Sequence, residues 1–195
     1  MNIKGIIKDA VILIIITVIA GVILGYVYSI TEQPIADAQQ KATMEGYKAV
    51  MSEADSFDEI TDSVDLNATD YGKSGSEVTK GLTAKKDNEI LGYVVQVTTH
   101  DGFGGDIDVI IGIDLDHNVT GVEILSIDET AGLGMRAKEE DFRNQYVNKG
   151  VDSFEVNGSG DNKIDALTGA TITSKAMTGA VNCALDYTAK LGGND

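Results

Sequence analysis

The sequence is poor in the residues that most often carry reactive chemistry. Its 195 residues contain one cysteine, one proline, two histidines and no tryptophan. A lone cysteine excludes an intrachain disulfide and a thiolate cluster, and the apolar neighbours of Cys183 indicate a small core residue. His100 and His117 have no Cys, Glu or third His at ligand spacing, so no metal-binding residue is predicted. No nucleotide-binding loop is present either, so the chain alone has no obvious reaction to perform.

Basic residues are also scarce. The chain has 15 Lys and Arg against 31 Asp and Glu, which gives a formal net charge of −16. Residues 1–31 carry +1, from Lys4, Lys8 and Asp9, so residues 32–195 carry −17. Nucleic acids and anionic lipids both require a basic surface, so neither is predicted as a partner. The plain meaning of the acidic balance is a well-solvated, self-repelling surface.

Charge is absent altogether from residues 10–31, and this run is long enough as a helix to cross about 30 Å of hydrocarbon. Lys4 and Lys8 precede the run, and no basic residue follows it before Lys41. The positive-inside rule therefore predicts a single-pass protein of the cell membrane with a cytoplasmic N-terminus and an extracytoplasmic C-terminal part. A cleaved signal peptide begins similarly. The anchor is favoured because the run exceeds a typical signal-peptide core and no small-x-small cleavage site closes it before Glu32.

The single proline, Pro34, follows this run closely and is predicted to break or kink the helix. Apolar residues then recur at helical spacing up to Val50, which predicts a stalk helix leading into the soluble part. Residues 52–86 are acidic and rich in Ser, Asp and Gly, so they are predicted to form a loop with short elements.

Three runs rich in β-branched residues predict an antiparallel meander, because their connections are too short for parallel crossovers. The runs are residues 90–98, 107–113 and 119–127. Helices are predicted over 138–147 and 174–191. The inner face of the second helix is predicted to be Met177, Val181, Ala184, Leu185 and Thr188.

These patterns predict an α+β protein in which a single N-terminal transmembrane helix precedes one domain with an antiparallel or mixed sheet and flanking helices. Three segments are expected: residues 1–31 as the N-terminus and membrane helix, 32–87 as the stalk helix and first part of the soluble domain, and 88–195 as its core.

The sequence Asp-Ala-Leu-Thr-Gly-Ala-Thr at 165–171 lies immediately before the predicted C-terminal helix. A helix start presents unpaired backbone N–H groups and partial positive charge, which favour an anion. Thr173 or Ser174 is predicted to cap the helix, and Gly169 and Ala170 leave room for a bulky ligand. Read without further context, the same residues form an ordinary glycine turn into a capped helix.

The extended pattern resembles the flavinylation site of the FMN-binding domain family, whose last threonine accepts FMN through a phosphoester. That threonine corresponds to Thr171. Upstream, Asp-Glu-Thr-Ala-Gly-Leu-Gly-Met at 128–135 resembles the family's Glu-Thr-Pro-Gly-Leu-Gly segment beside the flavin, with Ala131 replacing the proline. The glycine-rich stretch 102–107 resembles the family's lead into its central sheet. Taken singly, each upstream segment is also a plausible surface turn.

This resemblance implies covalent FMN on Thr171, attached by a flavin transferase. Asp165 is then expected to guide the transferase or its metal-nucleotide substrate, and Lys175 to screen the phosphate charge. The other expected cofactor contacts are Glu129, Thr130, Gly132, Leu133, Gly134, Thr168, Gly169 and Ala170. For Glu129 and Thr130, turn capping is the competing interpretation. No catalytic residue is expected, since the protein's part is to hold and tune the flavin.

Among anchored members of this family, the organisation resembles the G subunits of Rnf complexes, which are ion-translocating ferredoxin:NAD oxidoreductases. The resemblance implies an electron-transfer subunit whose partners are integral membrane subunits. The related C subunits of sodium-translocating NADH:quinone reductases are the alternative, although they are generally longer. A membrane-tethered, non-redox binding domain and a stand-alone flavin reductase are two further hypotheses.

Overall fold

The computed structural model describes residues 3–60 and 75–192, and the chain divides into two compact units, residues 1–42 and 43–195. Residues 3–42 of the first unit belong to helix α1, Ile3–Val50. An 18-residue window of α1 has a mean hydropathy of 2.9 and none of it is buried within the protein, so the helix is long and apolar enough to cross a membrane.

Pro34 was predicted to break or kink the helix, and a break does not occur, because α1 continues through this residue. A proline inside a helix removes its own N–H donor and strains the preceding turn. The turns on either side keep their own bonds, and the helix persists. The predicted membrane helix and stalk helix are therefore parts of one element.

The second unit is built on a five-stranded antiparallel sheet in the order β1-β2-β3-β4-β5. The strands are β1 Ser56–Glu59, β2 Ser76–Lys86, β3 Glu89–Thr99, β4 Ile107–Asp114 and β5 Val119–Ile127. The predicted three-strand meander is confirmed as β3, β4 and β5, and two further strands extend it at the β3 edge. The expected boundary between 87 and 88 falls in the turn joining β2 to β3, so both segments contribute to one sheet.

The β2–β3 turn consists of Asp87 and Asn88, with φ of 51° and 72°. Two-residue hairpin loops favour left-handed backbone at both positions, and Asp and Asn tolerate it better than other non-glycine residues. This Asp-Asn pair directly follows residues 52–86, which were expected to be mainly loop, and it is the local signal of a hairpin whose first strand, β2, lies inside that region. Residues 61–74, in the same region, lie outside the described part of the chain.

Helical elements follow the sheet. The helix predicted over 138–147 is reduced to the single turn α2, Glu140–Arg143, and the 3-10 helix η1, Gly134–Lys138, precedes it. Two short strands, β6 Glu155–Val156 and β7 Lys163–Ile164, pair in parallel before helix α3, Thr171–Gly192. The α+β class is thus confirmed.

One face of the sheet packs against α3. The predicted inner face of α3 is confirmed, since all five of its residues are buried, together with sheet residues such as Val95, Val109 and Ile111. The opposite face packs Val94 and Ile110 against the C-terminal turns of α1, which contribute Tyr47 and Val50. A helix on each face excludes water from the middle of the sheet.

Cys183 lies on the buried face of α3, as expected for a core residue. Burial raises the pKa of its thiol to about 12. The thiolate is the nucleophile, so the native protein is expected to resist thiol alkylation at pH 8 and to react fully in denaturant. Mass spectrometry after timed alkylation checks this. Rapid native labelling would show that the thiol is accessible.

Candidate functional site

A tight turn leads the chain into α3. The Ala170 N–H donates to the Leu167 carbonyl at 2.9 Å, and Gly169 between them has a φ of +79°. A turn with positive φ at its third residue is of the kind that selects glycine there. Ser174 ties this turn to the helix, because its Oγ donates to the Ala170 carbonyl and accepts from the Leu167 N–H, both at 2.9 Å.

Helix α3 begins at Thr171, three residues earlier than expected. The predicted capping role of Thr173 or Ser174 is therefore wrong: both lie within the first turn and are buried. The side chain of Thr171 is exposed at the helix start. Thr171 is therefore the first residue at the end of α3 that presents unpaired N–H groups and the positive end of the helix dipole.

The β5–η1 connection carries the second predicted segment. Glu129 is only 8% exposed, and its Oε1 accepts the Phe103 N–H at 2.7 Å. A Cβ added to Gly134 would lie 2.6 Å from Glu129 Oε2 and 2.7 Å from Thr173 Oγ1. The backbone at 134 therefore packs directly against Glu129 and α3, leaving no room for a side chain.

The β3–β4 connection carries the third segment, and it is equally close-packed. A Cβ on Gly102 would lie 2.1 Å from the Gly105 carbonyl oxygen, and one on Gly104 would lie 2.0 Å from the Asp128 carbonyl oxygen. Backbone cannot give way as a side-chain tip can, so glycine is required at both positions. These contacts join the loop to the segment that bears Glu129.

The three segments surround one cavity of about 380 Å³. Such a volume lies within the range of small-molecule and cofactor sites. Its lining residues are Phe103, Glu129, Thr130, Leu133, Gly134, Gly169, Ala170, Thr171, Ile172 and Thr173. Six of the ten are apolar, counting the two glycines, and four are polar; a mainly apolar wall with some polar groups is typical of small-molecule sites.

Seven of the eleven predicted cofactor-binding residues line this cavity. They are Glu129, Thr130, Leu133, Gly134, Gly169, Ala170 and Thr171. The other four, Asp165, Thr168, Gly132 and Lys175, lie outside its lining. Gly132 has a φ of +75° with open space around its Cα, so it serves the turn itself.

Asp165 and Lys175 are both exposed and lie on either side of the turn. Asp165 forms an ion pair with Lys163 at 2.7 Å, and its N–H donates to Gln145 at 2.7 Å. Lys175 follows Thr171 by four residues on α3, so the two side chains share one helix face. That spacing suits Lys175 to screening an anion on Thr171, and the side chain of Asp165 is open to solvent.

Three lining residues were absent from the sequence-based set: Phe103, Ile172 and Thr173. A sequence signal existed for Phe103, since it is an aromatic residue inside the glycine-rich stretch 102–105. Ile172 and Thr173 directly follow Thr171. The sequence did not show that they face the cavity, because this depends on the residue at which α3 begins.

The lining fits an attached FMN in two respects. Three exposed apolar side chains, Phe103, Leu133 and Ile172, line the cavity, and so does Thr171, the predicted acceptor residue. The apolar wall suits a flavin ring, and the helix start suits a phosphate.

Comparison with known proteins agrees with this site. The FMN-binding domain family matches residues 102–186, which include all three segments, and the RnfG N-terminal region matches residues 1–50. The structure also resembles the crystal structure of Shewanella oneidensis NqrC, with a TM-score of 0.50 over 74% of both chains at 16% identity. At that identity the likeness concerns the fold. Fold and site thus define a protein built on an FMN-binding domain.

Its relatives make the family more specific. The chain is 32% identical to the G subunit of the proton-translocating ferredoxin:NAD(+) oxidoreductase complex of Clostridium ljungdahlii, over 86% of this chain and 83% of that protein. It is 29% identical to the G subunit of the Na(+)-translocating complex of Acetobacterium woodii, over 93% and 91%. The chain belongs to the family of G subunits of ion-translocating ferredoxin:NAD(+) oxidoreductase (Rnf) complexes.

Proposed function

We propose that this chain is the electron-carrying G subunit of such a complex, with FMN attached through its phosphate to Thr171. The observation that most directly supports the attachment is the cavity, because the predicted acceptor hydroxyl and two distant sequence segments line one apolar space. When bound, FMN supplies reversible electron transfer. The protein's contribution is to hold the cofactor, exclude water from one side of the ring and set the electrostatic surroundings.

Each part of the cofactor has a candidate partner in the chain. The first-turn N–H groups of α3 and the Lys175 ammonium are suited to the phosphodiester. Phe103, Leu133 and Ile172 supply apolar surface for the ring. The acidic balance of the domain opposes further negative charge at the site, and the positive end of α3 offsets this locally.

The membrane arrangement is part of the same proposal. Lys4 and Lys8 favour a cytoplasmic N-terminus, so the flavin domain would stand outside the cytoplasm. A dissociated cofactor would be lost there, and a covalent link keeps it at high effective concentration. Maturation then requires a flavin transferase, and the electron donor and acceptor belong to integral membrane subunits that contact α1.

The alternatives have less support. The G subunits of Clostridium ljungdahlii and Acetobacterium woodii align over more than four fifths of this chain and of their own length, whereas NqrC shares 16% identity and supports only the common fold. A non-redox binding domain leaves the flavin-sized cavity at the glycine turn without a use. The hypothesis of a non-redox binding domain also predicts a colourless protein. Purification from a host that contains a flavin transferase would test this.

The attachment is tested by mass spectrometry of the full chain produced with and without a flavin transferase. With the enzyme, the intact mass should rise by FMN less one water. Trypsin should then release residues 164–175, bounded by Lys163 and Lys175, which contain Thr168, Thr171, Thr173 and Ser174. Fragmentation between residues 170 and 172 assigns the adduct. An adduct on another hydroxyl, or none in the presence of active transferase, would refute the proposal.

A further inference from the structure

One aromatic side chain among the described residues that line the cavity, Phe103, is not packed in the hydrophobic core. Phe103 is 68% exposed, although the sheet domain has a continuous apolar interior. Beyond α1, the described residues include five large apolar side chains that are exposed, and three of these, Phe103, Leu133 and Ile172, line this cavity. Exposed apolar surface gathered around a cavity marks a binding site.

The exposure of Phe103 is not a consequence of a loose loop. Gly102 and Gly104 pack against backbone carbonyl oxygens at distances that exclude any side chain. Between them, the Phe103 N–H donates to the buried carboxylate of Glu129 at 2.7 Å. A hydrogen bond to a carboxylate is shorter and stronger than one between neutral groups, above all where its partners are shielded from water. The backbone of residues 102–104 is thus held in place by three contacts, while the Phe103 ring lies outside the core.

We propose that Phe103 is the contact surface for the isoalloxazine ring of the bound flavin, and that Glu129 is the positioning residue that holds it there. This inference rests on the proposed attachment to Thr171 and adds which side chain meets the ring. Phe103 is the only aromatic residue among those lining the cavity in the described part of the chain. Aromatic rings gain from stacked or edge-to-face contact beyond simple burial, which suits Phe103 to a flat heteroaromatic ligand.

A single tryptophan provides the test, because the natural chain contains none. Excited flavins accept an electron from an indole in van der Waals contact, and this quenches flavin emission. In flavin-loaded full-length protein, the Phe103→Trp variant is expected to lose most of the flavin fluorescence that the parent protein shows. Its flavin fluorescence lifetime should also be shorter than that of the parent. Leu115→Trp is the matched control, because Leu115 is 61% exposed but follows the opposite end of β4 and lies outside the cavity lining.

Equal lifetimes in the Phe103→Trp and Leu115→Trp proteins would overturn the ring contact. Intact mass is recorded on every sample, so flavin loading is measured separately from quenching. A parent protein without flavin on Thr171 would overturn the proposed attachment, and the ring contact with it. Thermal unfolding of each variant shows that the domain is folded.

The positioning role of Glu129 is tested in the Phe103→Trp background. Glu129→Gln keeps an oxygen acceptor for the residue 103 N–H, so strong quenching should persist. Glu129→Ala removes the acceptor, so the indole should move more freely and the flavin lifetime should lengthen into several components. A single short lifetime in the folded Glu129→Ala protein would overturn the positioning role.

Discussion

Replacing Thr171 with alanine is expected to abolish covalent flavin while leaving the domain folded. The hydroxyl oxygen is the only atom of this side chain that can form the phosphoester. The side chain is exposed at the first position of α3, and alanine is the better helix former, so no buried contact is lost. Intact mass and in-gel flavin fluorescence under denaturing conditions measure the adduct, and thermal unfolding measures the fold.

Thr171→Ser is the matched control, because it removes one methyl group and keeps the hydroxyl. It should retain an adduct that the alanine variant lacks. Flavin fluorescence surviving denaturation in the Thr171→Ala protein would mean that the acceptor lies elsewhere.

The second large effect is expected at Gly134, where a single methyl group should disturb both the fold and the flavin. The backbone there has no left-handed strain, and the constraint is space: Glu129 Oε2, Glu129 Cβ and Thr173 Oγ1 would all lie within 2.8 Å of the new Cβ. Overpacking of this kind costs about 1–3 kcal/mol. Gly134→Ala is therefore expected to lower the melting temperature and to alter the visible circular dichroism of the flavin, since Glu129 and Thr173 both line the cavity.

Gly160→Ala is the control that distinguishes a general loss of stability from a direct change in the flavin site. Gly160 has a φ of +89° and no atom closer than 4.0 Å to an added Cβ, so its cost comes from the backbone, about 1–2 kcal/mol. It lies outside the cavity lining. A comparable loss of stability with an unchanged flavin spectrum is expected. If Gly134→Ala left the flavin spectrum as unaltered as Gly160→Ala does, the flavin would not occupy this cavity.

The contrast between β4 and β2 explains which strands could be predicted. In β4, apolar residues alternate without interruption through Ile107, Val109, Ile111 and Ile113, and all four share the face that packs against α3. That period of two is visible in the sequence.

Strand β2 has no such simple pattern. Its pairing with β3 shifts register between Val78 and Lys80, and this irregularity changes which face the following residues occupy. Val78 packs in the α3 cluster, whereas Leu82 and Ala84, at the same parity, pack in the α1 cluster. A bulge of this kind reverses the alternation in mid-strand, so period-two reasoning fails there.

The end of α1 shows a second limit. Gly112 and Gly121 face each other on β4 and β5, and a Cβ on either would lie within 2.8 Å of Val50 backbone. The Thr120 hydroxyl donates to the Val50 carbonyl at 2.6 Å. These contacts join residues about seventy positions apart, so no local pattern predicts where the stalk helix meets the sheet.

The sequence by itself determined the apolar run of α1, the alternation of the three central strands, the inner face of α3 and the predicted acceptor motif ending at Thr171, because each depends on residues close together in the chain. Only the tertiary structure decided that Phe103, Glu129, Gly134 and Thr171 surround one cavity. Their meeting depends on the order and register of the sheet and on the residue at which α3 begins. Those features follow from packing among residues distant in sequence, where the close approach of glycine backbone and one buried carboxylate sets the geometry.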